Sequence, residues 1–339
     1  MTHRIGTLYP LWLVLILLFP ACQKDLLFPE TSIEKELERG IESGFDGIIL
    51  YVNQSGNSSF FSAGWKNREQ QIPADPHSLF KIASISKLYE AAALAKLVAD
   101  NQLSLSSTLV DLIPEVDGRI EFADEITLEM LVQHRSGISD FVYRPGIEDM
   151  DPNESYLTTL SLIYDLPAEF KPNKRYQYSN TNFLLLGEIM DRALGYSHHD
   201  YINAEILIPN GLMNTYNLYN EADSSDVMSG YVKGYEEDQK SELYTRPGGA
   251  MVASAEDVGL FLRYLIDGTI FNEEEQEVYS SIYRYGHTGW GLGYTSIARY
   301  NSDIDAIVIQ FVNTSFNGLF WLELEGMYDR VNKILEKEN

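Results

Sequence analysis

Strand-forming sequence lies near the two ends of this 339-residue chain, and this distribution constrains the fold more than any other feature. Residues 47–52 form a continuous apolar run rich in β-formers, and turn residues separate them from a second strand-like segment at 59–65. A second hairpin is predicted from residues 295–300 and 304–312. Because the first run is apolar on both faces, we expect helices to cover both sides of one sheet.

Between the two hairpins the sequence predicts helices and loops. Apolar residues recur with helical spacing at 127–134, 155–165, 181–194, 199–207 and 255–267. Amphipathic segments at 32–44 and 318–337 flank the hairpins. We therefore predict an α+β (α/β sandwich) fold, in which the N- and C-terminal segments form a central antiparallel sheet covered by helices. A mostly helical lobe is inserted at about 100–245, and the cleft should lie where that lobe meets the sheet.

Composition and charge exclude several functions. The 45% hydrophobic content is enough for a globular core, and 50 acidic against 25 basic residues give a net charge of −25. Such a chain repels nucleic acid and anionic lipid surfaces, so neither is an expected partner. His198 and His199 are the only histidines close in sequence, and adjacent side chains diverge, so we expect no metal site and no cofactor.

The N-terminal segment resembles an export signal. Arg4 precedes an apolar run at 8–19 that is short for a membrane span, and a small residue stands just before Cys22, the only cysteine. We expect residues 1–21 to be a signal peptide and residues 22–339 to form the folded domain of the exported protein. Cys22 resembles the lipidated first residue of bacterial lipoproteins, although the two residues at the end of the apolar run depart from that pattern. The expected location is the bacterial periplasm or cell envelope, with membrane contact only through this anchor; an ordinary secretory signal or a buried free thiol is the alternative.

A serine and a lysine stand three residues apart where a helix is predicted to begin. Ser84 and Lys87 precede apolar residues that alternate three and four apart, so the two polar side chains should share one face of the helix. A hydroxyl is a poor nucleophile until a base removes its proton, and a lysine can act as that base when its surroundings lower its pKa. The alternative is a capping serine followed by a surface lysine.

Two further motifs fall where a cleft would need them. Tyr178-Ser179-Asn180 precedes the helix predicted at 181–194, and His287-Thr288-Gly289 begins a strand. A phenol near two cations can lose its proton below its usual pKa of about 10 and accept the nucleophile's proton, while an Asn amide can hold a substrate carbonyl. Gly289 would let a substrate backbone lie flat along the strand edge. Taken singly, the alternatives are a helix cap and a turn.

The three motifs in this order resemble the serine β-lactamases and penicillin-recognising peptidases, and within them the class C β-lactamase-like group. The resemblance extends from about residue 47 to residue 313. It implies that Ser84 is the acylated nucleophile and that Lys87 and Tyr178 transfer its proton. It also implies that Asn180 binds a substrate amide.

The same resemblance assigns the third motif to substrate binding and adds an oxyanion hole. His287 would be the cation or hydrogen-bond donor of that motif, with Thr288 and Gly289 beside it on the substrate-binding strand. The backbone N–H groups of Ser84 and Trp290 would stabilise the oxyanion. Most β-lactamases have a lysine in place of His287 and a hydroxyl residue in place of Trp290, where these groups help to hold a substrate carboxylate.

The departures favour relatives other than the β-lactamases themselves. The His-Thr-Gly motif is more similar to the D-alanyl-D-alanine carboxypeptidases, D-amino-acid peptidases and esterases of the group. Pro172-Asn173 replaces the usual Pro-Gly, and the stretch between Met251 and His287 is short for the family, which predicts a missing strand or hairpin and a more open cleft.

The sequence therefore predicts a serine hydrolase that forms an acyl-enzyme from an ester or amide, a small molecule or a peptide, without metal or cofactor. A D-alanyl-D-alanine carboxypeptidase or a weak class C-type β-lactamase is the alternative within enzymes. A non-catalytic envelope protein that binds peptidoglycan fragments is the alternative from another class; the three intact motifs argue against it.

Overall fold

The computed structural model describes residues 32–316 and 318–338. The predicted signal peptide at 1–21 and the predicted lipid anchor Cys22 lie outside the described residues.

One six-stranded antiparallel sheet combines strands from the N-terminal and the C-terminal parts of the described chain. In chain order its strands are β1 Gly47–Gln54, β2 Asn57–Asn67, β3 Ile72–Pro73, β4 Gly286–Gly291, β5 Tyr294–Asn301 and β6 Ala306–Val312. Their spatial order is β3-β2-β1-β6-β5-β4, so β1 and β6 are central neighbours and β4 is an edge strand. The register pairs Ile48 with Val312 and His287 with Ala298. The predicted single sheet from two distant hairpins is confirmed.

Helices form most of the remaining structure. They are α1 Ile33–Glu42, α2 Ser86–Ala99, α3 Leu109–Leu112, α4 Leu128–Val132, α5 Tyr156–Leu160, α6 Asn180–Leu194, α7 His198–Ile202, α8 Ala255–Asp267, α9 Glu273–Ile282 and α10 Gly318–Glu338. A π-helical turn, Asn203–Leu207, continues α7. Two-residue strands lie at Phe80–Lys81, Thr215–Tyr216, Tyr231–Val232, Val252–Ala253 and Thr314–Ser315.

Both faces of the sheet are covered, as the apolar strands predicted. Ile48, Leu50 and Val52 of β1 pack with α1 and α10 on one face. Ile49 and Tyr51 point to the opposite face, where α8 and α2 pack. Successive side chains of a strand alternate between faces, so an unbroken apolar run belongs to a sheet buried on both sides. The predicted α+β sandwich is confirmed.

The segment between α2 and α8 lies beside the sheet and is built from short helices and long loops. Helix α6 is buried along most of its length and anchors this segment against α4 and α5. Within 32–316 and 318–338, no helix has both the length and the apolar composition needed to cross a bilayer.

Candidate active site

The segment before Ser84 has a constrained backbone. Ala83 has φ 48°, a left-handed conformation that L-residues other than Asn and Asp adopt rarely. A single 3₁₀ turn, Ala83–Ile85, then leads directly into α2. Ser86 is fully buried: its Oγ donates to the Ala83 carbonyl at 2.6 Å and accepts from the Met251 N–H at 3.2 Å. Ser86 therefore closes the turn, whereas Ser84 is partly exposed to the cleft.

Lys87 lies one turn after Ser84 and is completely buried. Its Nζ is 3.3 Å from Ser84 Oγ, 2.9 Å from Asn180 Oδ1 and 2.5 Å from the Gly248 carbonyl oxygen. An ammonium has three N–H bonds, so these acceptors match its donors one for one. The predicted common face of Ser84 and Lys87 is present, and the alternative of a surface lysine is wrong.

The Tyr178 hydroxyl approaches the same serine from the segment just before α6. It donates to Ser84 Oγ at 2.9 Å and lies 3.5 Å from Asn180 Oδ1. The Tyr178 ring stacks on His134, with centroids 4.5 Å apart. His134 also fixes the neighbouring backbone, since its carbonyl accepts from the Gln177 N–H and its Nδ1 from the Ser179 N–H. Burial lowers the pKa of His134 to about 3, so this ring is a neutral platform for the tyrosine.

Asn180 is oriented by an acidic residue that the sequence reasoning missed. Its Nδ2 donates to Asp140 Oδ2 at 2.9 Å, and this bond leaves Oδ1 facing Lys87 and Tyr178. Asp140 itself accepts from the Val142 N–H. Burial raises the pKa of Asp140, and the Asn180 and Val142 donors oppose that rise. Nothing in the local sequence marks Asp140, because the contact joins residues 40 positions apart.

His287 is buried, and its surroundings disfavour the charged form. The side chain is 4% exposed, and burial first, then Arg284 and Lys87, lowers its pKa well below the usual value. Its Nδ1 donates to the Thr288 carbonyl, and its Nε2 is buried without a hydrogen-bond partner among the described residues. Of the two predicted roles, cation or hydrogen-bond donor, the cation is thus the disfavoured one. The ring centroid lies 6.1 Å from that of Tyr178, whose own ring centroid is 5.1 Å from Lys87 Nζ.

Strand β4 forms the other wall of the cleft. A Cβ on Gly289 would lie 2.4 Å from the Ile82 carbonyl oxygen and 3.2 Å from Ala83 Cβ, so glycine is needed for the strand to pack against the segment before Ser84. This differs from the predicted reason, which was room for a substrate backbone. Thr288 is partly exposed, and the Trp290 side chain is 54% exposed at this edge of the sheet.

The arrangement places an amine and a phenol within hydrogen-bonding distance of one hydroxyl, that of Ser84. A reacting carbonyl can reach Ser84 from the partly exposed side, and either neighbour can take the proton of Ser84 once it has lost its own. In the part of the chain that the structure describes, no cluster of His, Cys, Asp or Glu could hold a metal ion.

A comparison with protein families identifies the class to which this fold and site belong. The family model described as Beta-lactamase matches residues 32–321, which is most of the chain. The chain therefore belongs to the Beta-lactamase family, and its fold is that of the serine hydrolases of β-lactamase and penicillin-binding-protein type. The resemblance inferred from the three motifs is confirmed.

The solved structures that share this fold belong to proteins with different names. The D-amino acid amidase from Ochrobactrum anthropi SV3, complexed with D-phenylalanine, is 21% identical with a TM-score of 0.79, covering 91% of this chain and 98% of the amidase. The octameric penicillin-binding protein homologue from Pyrococcus abyssi is 25% identical with a TM-score of 0.71, covering 83% and 73%. EstCE1, a hydrolase with promiscuous acyltransferase activity, is 17% identical with a TM-score of 0.70, covering 88% and 97%.

Curated relatives are matched over only part of their length. Penicillin-binding protein 4* from Bacillus subtilis (strain 168) is 28% identical over 221 residues, which are 61% of this chain and 46% of that protein. Protein flp from Staphylococcus aureus (strain MW2) is 24% identical over 70% of this chain and 48% of its own length. The chain thus spans about half the length of the curated relatives that it matches.

Proposed function

We propose that this protein hydrolyses an ester or amide through an acyl-enzyme formed on Ser84. The observation that carries the proposal is the convergence of Lys87 Nζ and Tyr178 OH on Ser84 Oγ, at 3.3 and 2.9 Å. Only the hydroxyl of this trio is a plausible nucleophile, because the amine is buried and hydrogen-bonded and the phenol is a weaker attacking group.

The reaction follows from these contacts. Ser84 Oγ attacks the carbonyl carbon while its proton passes to the Lys87–Tyr178 pair, and the same pair returns a proton to the leaving group as the acyl-enzyme forms. Water then attacks the acyl-enzyme with the pair again acting as base, which regenerates Ser84. Asn180, held by Asp140, keeps the lysine and tyrosine in register during both steps.

The oxyanion of each tetrahedral intermediate would be stabilised by the backbone N–H groups of Ser84 and Trp290. Ser84 lies in the first turn before α2, where N–H groups lack intrahelical partners, and Trp290 lies on the edge strand that packs on residues 82 and 83. Paired donors of this kind typically contribute about 3 kcal/mol each to transition-state stabilisation.

The substrate wall favours simple esters over β-lactams. Trp290 cannot bind a carboxylate as a small hydroxyl residue would, and His287 is neutral, so the third motif supplies no positive charge to an anionic substrate. The backbone oxyanion donors are unaffected by either replacement. We therefore propose an esterase or D-amino-acid peptidase-like activity, with a D-alanyl-D-alanine carboxypeptidase or weak β-lactamase as the second candidate, favoured by the fold shared with penicillin-binding proteins.

Two labelling reagents test the proposal. The purified chain from residue 23 is incubated with a fluorophosphonate and, separately, with a fluorescent penicillin, and the labelled peptide is identified by mass spectrometry. We expect the fluorophosphonate on Ser84, none on Ser86 or Ser179, and no label in Ser84→Ala. Labelling at another serine would refute the nucleophile, and absence of any label or turnover would favour the non-catalytic binding protein. Faster turnover of nitrocefin than of p-nitrophenyl butyrate would favour the β-lactamase.

We also propose that the protein is exported and anchored in the cell envelope by a lipid on Cys22. Support comes from the apolar run at 8–19 and the small residue before the cysteine. Expression of the full chain with radiolabelled palmitate should give a labelled membrane-associated product that Cys22→Ser abolishes. An unlabelled product of the same size in both would mean that the segment is not a lipoprotein signal.

A further inference from the structure

Helix α2 carries a third polar residue on the face that holds the nucleophile and the lysine. Ser84, Lys87 and Glu90 recur every three residues, so they lie along one side of the helix. Glu90 is 3% exposed and is followed by the apolar stretch 91–95. An acid is rarely buried this deeply unless a partner or a function requires it.

Glu90 reaches Lys87 through one glycine. Its Oε1 accepts from the Gly248 N–H at 2.5 Å, and the carbonyl oxygen of the same glycine accepts from Lys87 Nζ at 2.5 Å. Gly248 has φ +80°, and a Cβ there would lie 2.7 Å from Lys87 Nζ. The glutamate therefore pins the backbone residue whose carbonyl holds the lysine, at a position where only glycine fits.

The other oxygen of Glu90 has no partner in the described part of the chain, and His198 influences Glu90 electrostatically. Oε2 of Glu90 and Nε2 of His198 are both buried and lack a hydrogen-bond partner among the described residues. His198 Nδ1 donates to Asp191 at 2.7 Å, so Nε2 is a free acceptor when the ring is neutral. A protonated Glu90 would present an O–H donor to this region, whereas an ionised Glu90 leaves both atoms without a donor.

Glu90 changes charge in the working range of the proposed reaction. Burial raises its pKa to about 7; His198, the Gly248 N–H and Lys87 oppose the rise, and Asp191 adds to it. The charge of Glu90 also contributes to raising the pKa of Tyr156 and of Tyr244, so both phenols lie within its electrostatic reach. On its other side Lys87 faces Asp140, again through one intermediary, Asn180.

Lys87 is thus a buried amine without a directly bonded carboxylate. No acid lies within ion-pair distance of it in residues 32–316 and 318–338, and its Nζ contacts only neutral oxygens. A buried ammonium depends on nearby negative charge, since burial alone disfavours the charged form. A carboxylate at Glu90, one glycine away, therefore supplies negative charge close to the buried amine.

We propose that Glu90 is a positioning residue for Lys87: its carboxylate holds the Gly248 backbone, whose carbonyl holds the amine, and its negative charge stabilises the ammonium form. This inference rests on the proposed role of Lys87 as part of the base. Two consequences follow: the hydrogen bond fixes where Lys87 lies, and the charge opposes formation of the free amine.

The decisive variant is Glu90→Gln, because the amide keeps an oxygen for the Gly248 N–H and removes the charge. The kcat/KM of p-nitrophenyl butyrate hydrolysis is measured against pH for the wild-type protein and the variant. We expect the ascending limb of the pH profile of kcat/KM to lie about one pH unit lower in the variant than in the wild type. A shift of this size is typical when one nearby charge is removed. Between the two midpoints the variant should be more active than the wild type, by up to about tenfold.

The shift separates this role from a structural one, since damage to the fold lowers activity at every pH. Glu275→Gln is the matched control: Glu275 is equally buried and pairs with Lys96 at 3.0 Å near the other end of α2. This control should lose stability without moving the limb. Glu90→Asp keeps the charge but withdraws the carboxylate from Gly248, so kcat should fall about tenfold with KM and the limb unchanged.

A limb that does not move in folded Glu90→Gln overturns the inference. If that variant does not fold, His198→Asn provides a second test of the Glu90 charge. His198 lowers the pKa of Glu90, so loss of the imidazole favours neutral Glu90 and should also move the ascending limb to lower pH. An unmoved limb there is equally negative. Ser84→Ala distinguishes failure of the proposed reaction from failure of the role of Glu90. Residual turnover in Ser84→Ala refutes the proposed reaction. If Ser84→Ala abolishes turnover but the limb does not move in Glu90→Gln, only the role of Glu90 is refuted.

Discussion

The two walls of the cleft differ in how firmly their polar groups are held. On the helical wall, Lys87 has three acceptors, Tyr178 donates to Ser84, and Asn180 is tied to Asp140. On the strand wall, the His287 side chain has one hydrogen bond among the described residues, to the carbonyl of the next residue, and Trp290 is 54% exposed. One wall is a connected network and the other is a packed surface with few polar contacts.

The difference indicates which part of the site is fixed and which can vary. A connected network of hydrogen bonds resists rearrangement, so the helical wall preserves the geometry of bond breaking. The strand wall is held by backbone pairing and close packing at Gly289, and its side chains can change without disturbing the nucleophile. The helical wall therefore carries out the chemistry, and the strand wall selects the substrate. Four experiments test this division.

The largest effect is expected from Lys87→Met, which keeps the length and apolar stem of the side chain but removes its donors. Loss of the base should lower kcat by about 10³-fold or more, since positioned proton transfer contributes about 10²–10⁴-fold. Lys96→Met on the same helix, which loses only the pair with Glu275, is the matched control. Similar turnover in both variants of α2 would contradict the importance of the helical wall.

The second experiment places a charge on the strand wall with His287→Lys. The site is buried, already disfavours a cation because of Arg284 and Lys87, and holds a neutral ring. An ammonium there should cost about 3 kcal/mol in free energy of unfolding, as an unpaired buried charge does. Urea denaturation checks this, with His77→Lys at an exposed position as control. An unchanged midpoint would mean that the strand wall accepts a cation, as the motif first suggested.

The third experiment lowers the pH. Burial lowers the pKa of His134 and His199 to about 3, and that of His287 well below its usual value. Each stays neutral in the folded protein but binds a proton when unfolded, so its stabilising contribution is complete above about pH 6.5 and is lost as the pH falls toward 3. Glu90, with its pKa raised to about 7, acts in the opposite direction.

The net loss should be roughly 2–3 kcal/mol between pH 6 and pH 5. Urea denaturation at both pH values measures it, and His199→Asn, outside the cleft, should remove about 1 kcal/mol of the difference. Equal stability at the two pH values would show that these rings are protonated in the folded protein.

The smallest effect is expected from Trp290→Ser on the strand wall. A hydroxyl at this edge can donate a hydrogen bond to a substrate carboxylate. The kcat/KM for nitrocefin divided by that for p-nitrophenyl butyrate should therefore rise about fivefold, which corresponds to the contribution of one hydrogen bond. Leu292→Ser, which is 52% exposed just beyond the strand, should leave the ratio unchanged. A drop in turnover of both substrates would instead implicate the indole in holding the oxyanion strand.

The sequence predicted much of this fold because its signals are local. Continuous apolar runs rich in β-formers marked the sheet, and helical spacing marked α6 and α8 close to their observed ends. Helix α9 was missed because its sequence, EEEQEVYSSI, is mostly polar and has no apolar stripe. Asn173 in place of a family glycine is now explained, since its φ of 62° is left-handed and Asn tolerates that conformation.

The site was predicted only where spacing along the chain determines contact. Ser84 and Lys87 meet because a helix turns once in that interval. Asp140 was missed, and the burial that lowers the pKa of His287 was not foreseen, because orientation by a distant partner and the degree of burial depend on the folded chain.

The pairing of β1 with β6 also sets the order of events when the chain folds. Asp46 and Thr314, bonded at 2.9 Å through their side chains, are 268 residues apart. During synthesis at about 5–20 residues per second, the edge of β1 that pairs with β6 therefore stays unpaired for a time on the order of tens of seconds. Such long-range pairing is slow to form and leaves an apolar strand edge exposed meanwhile. The sheet is thus among the last structures to be completed, and the nucleophile meets β4 only after nearly the whole chain is available.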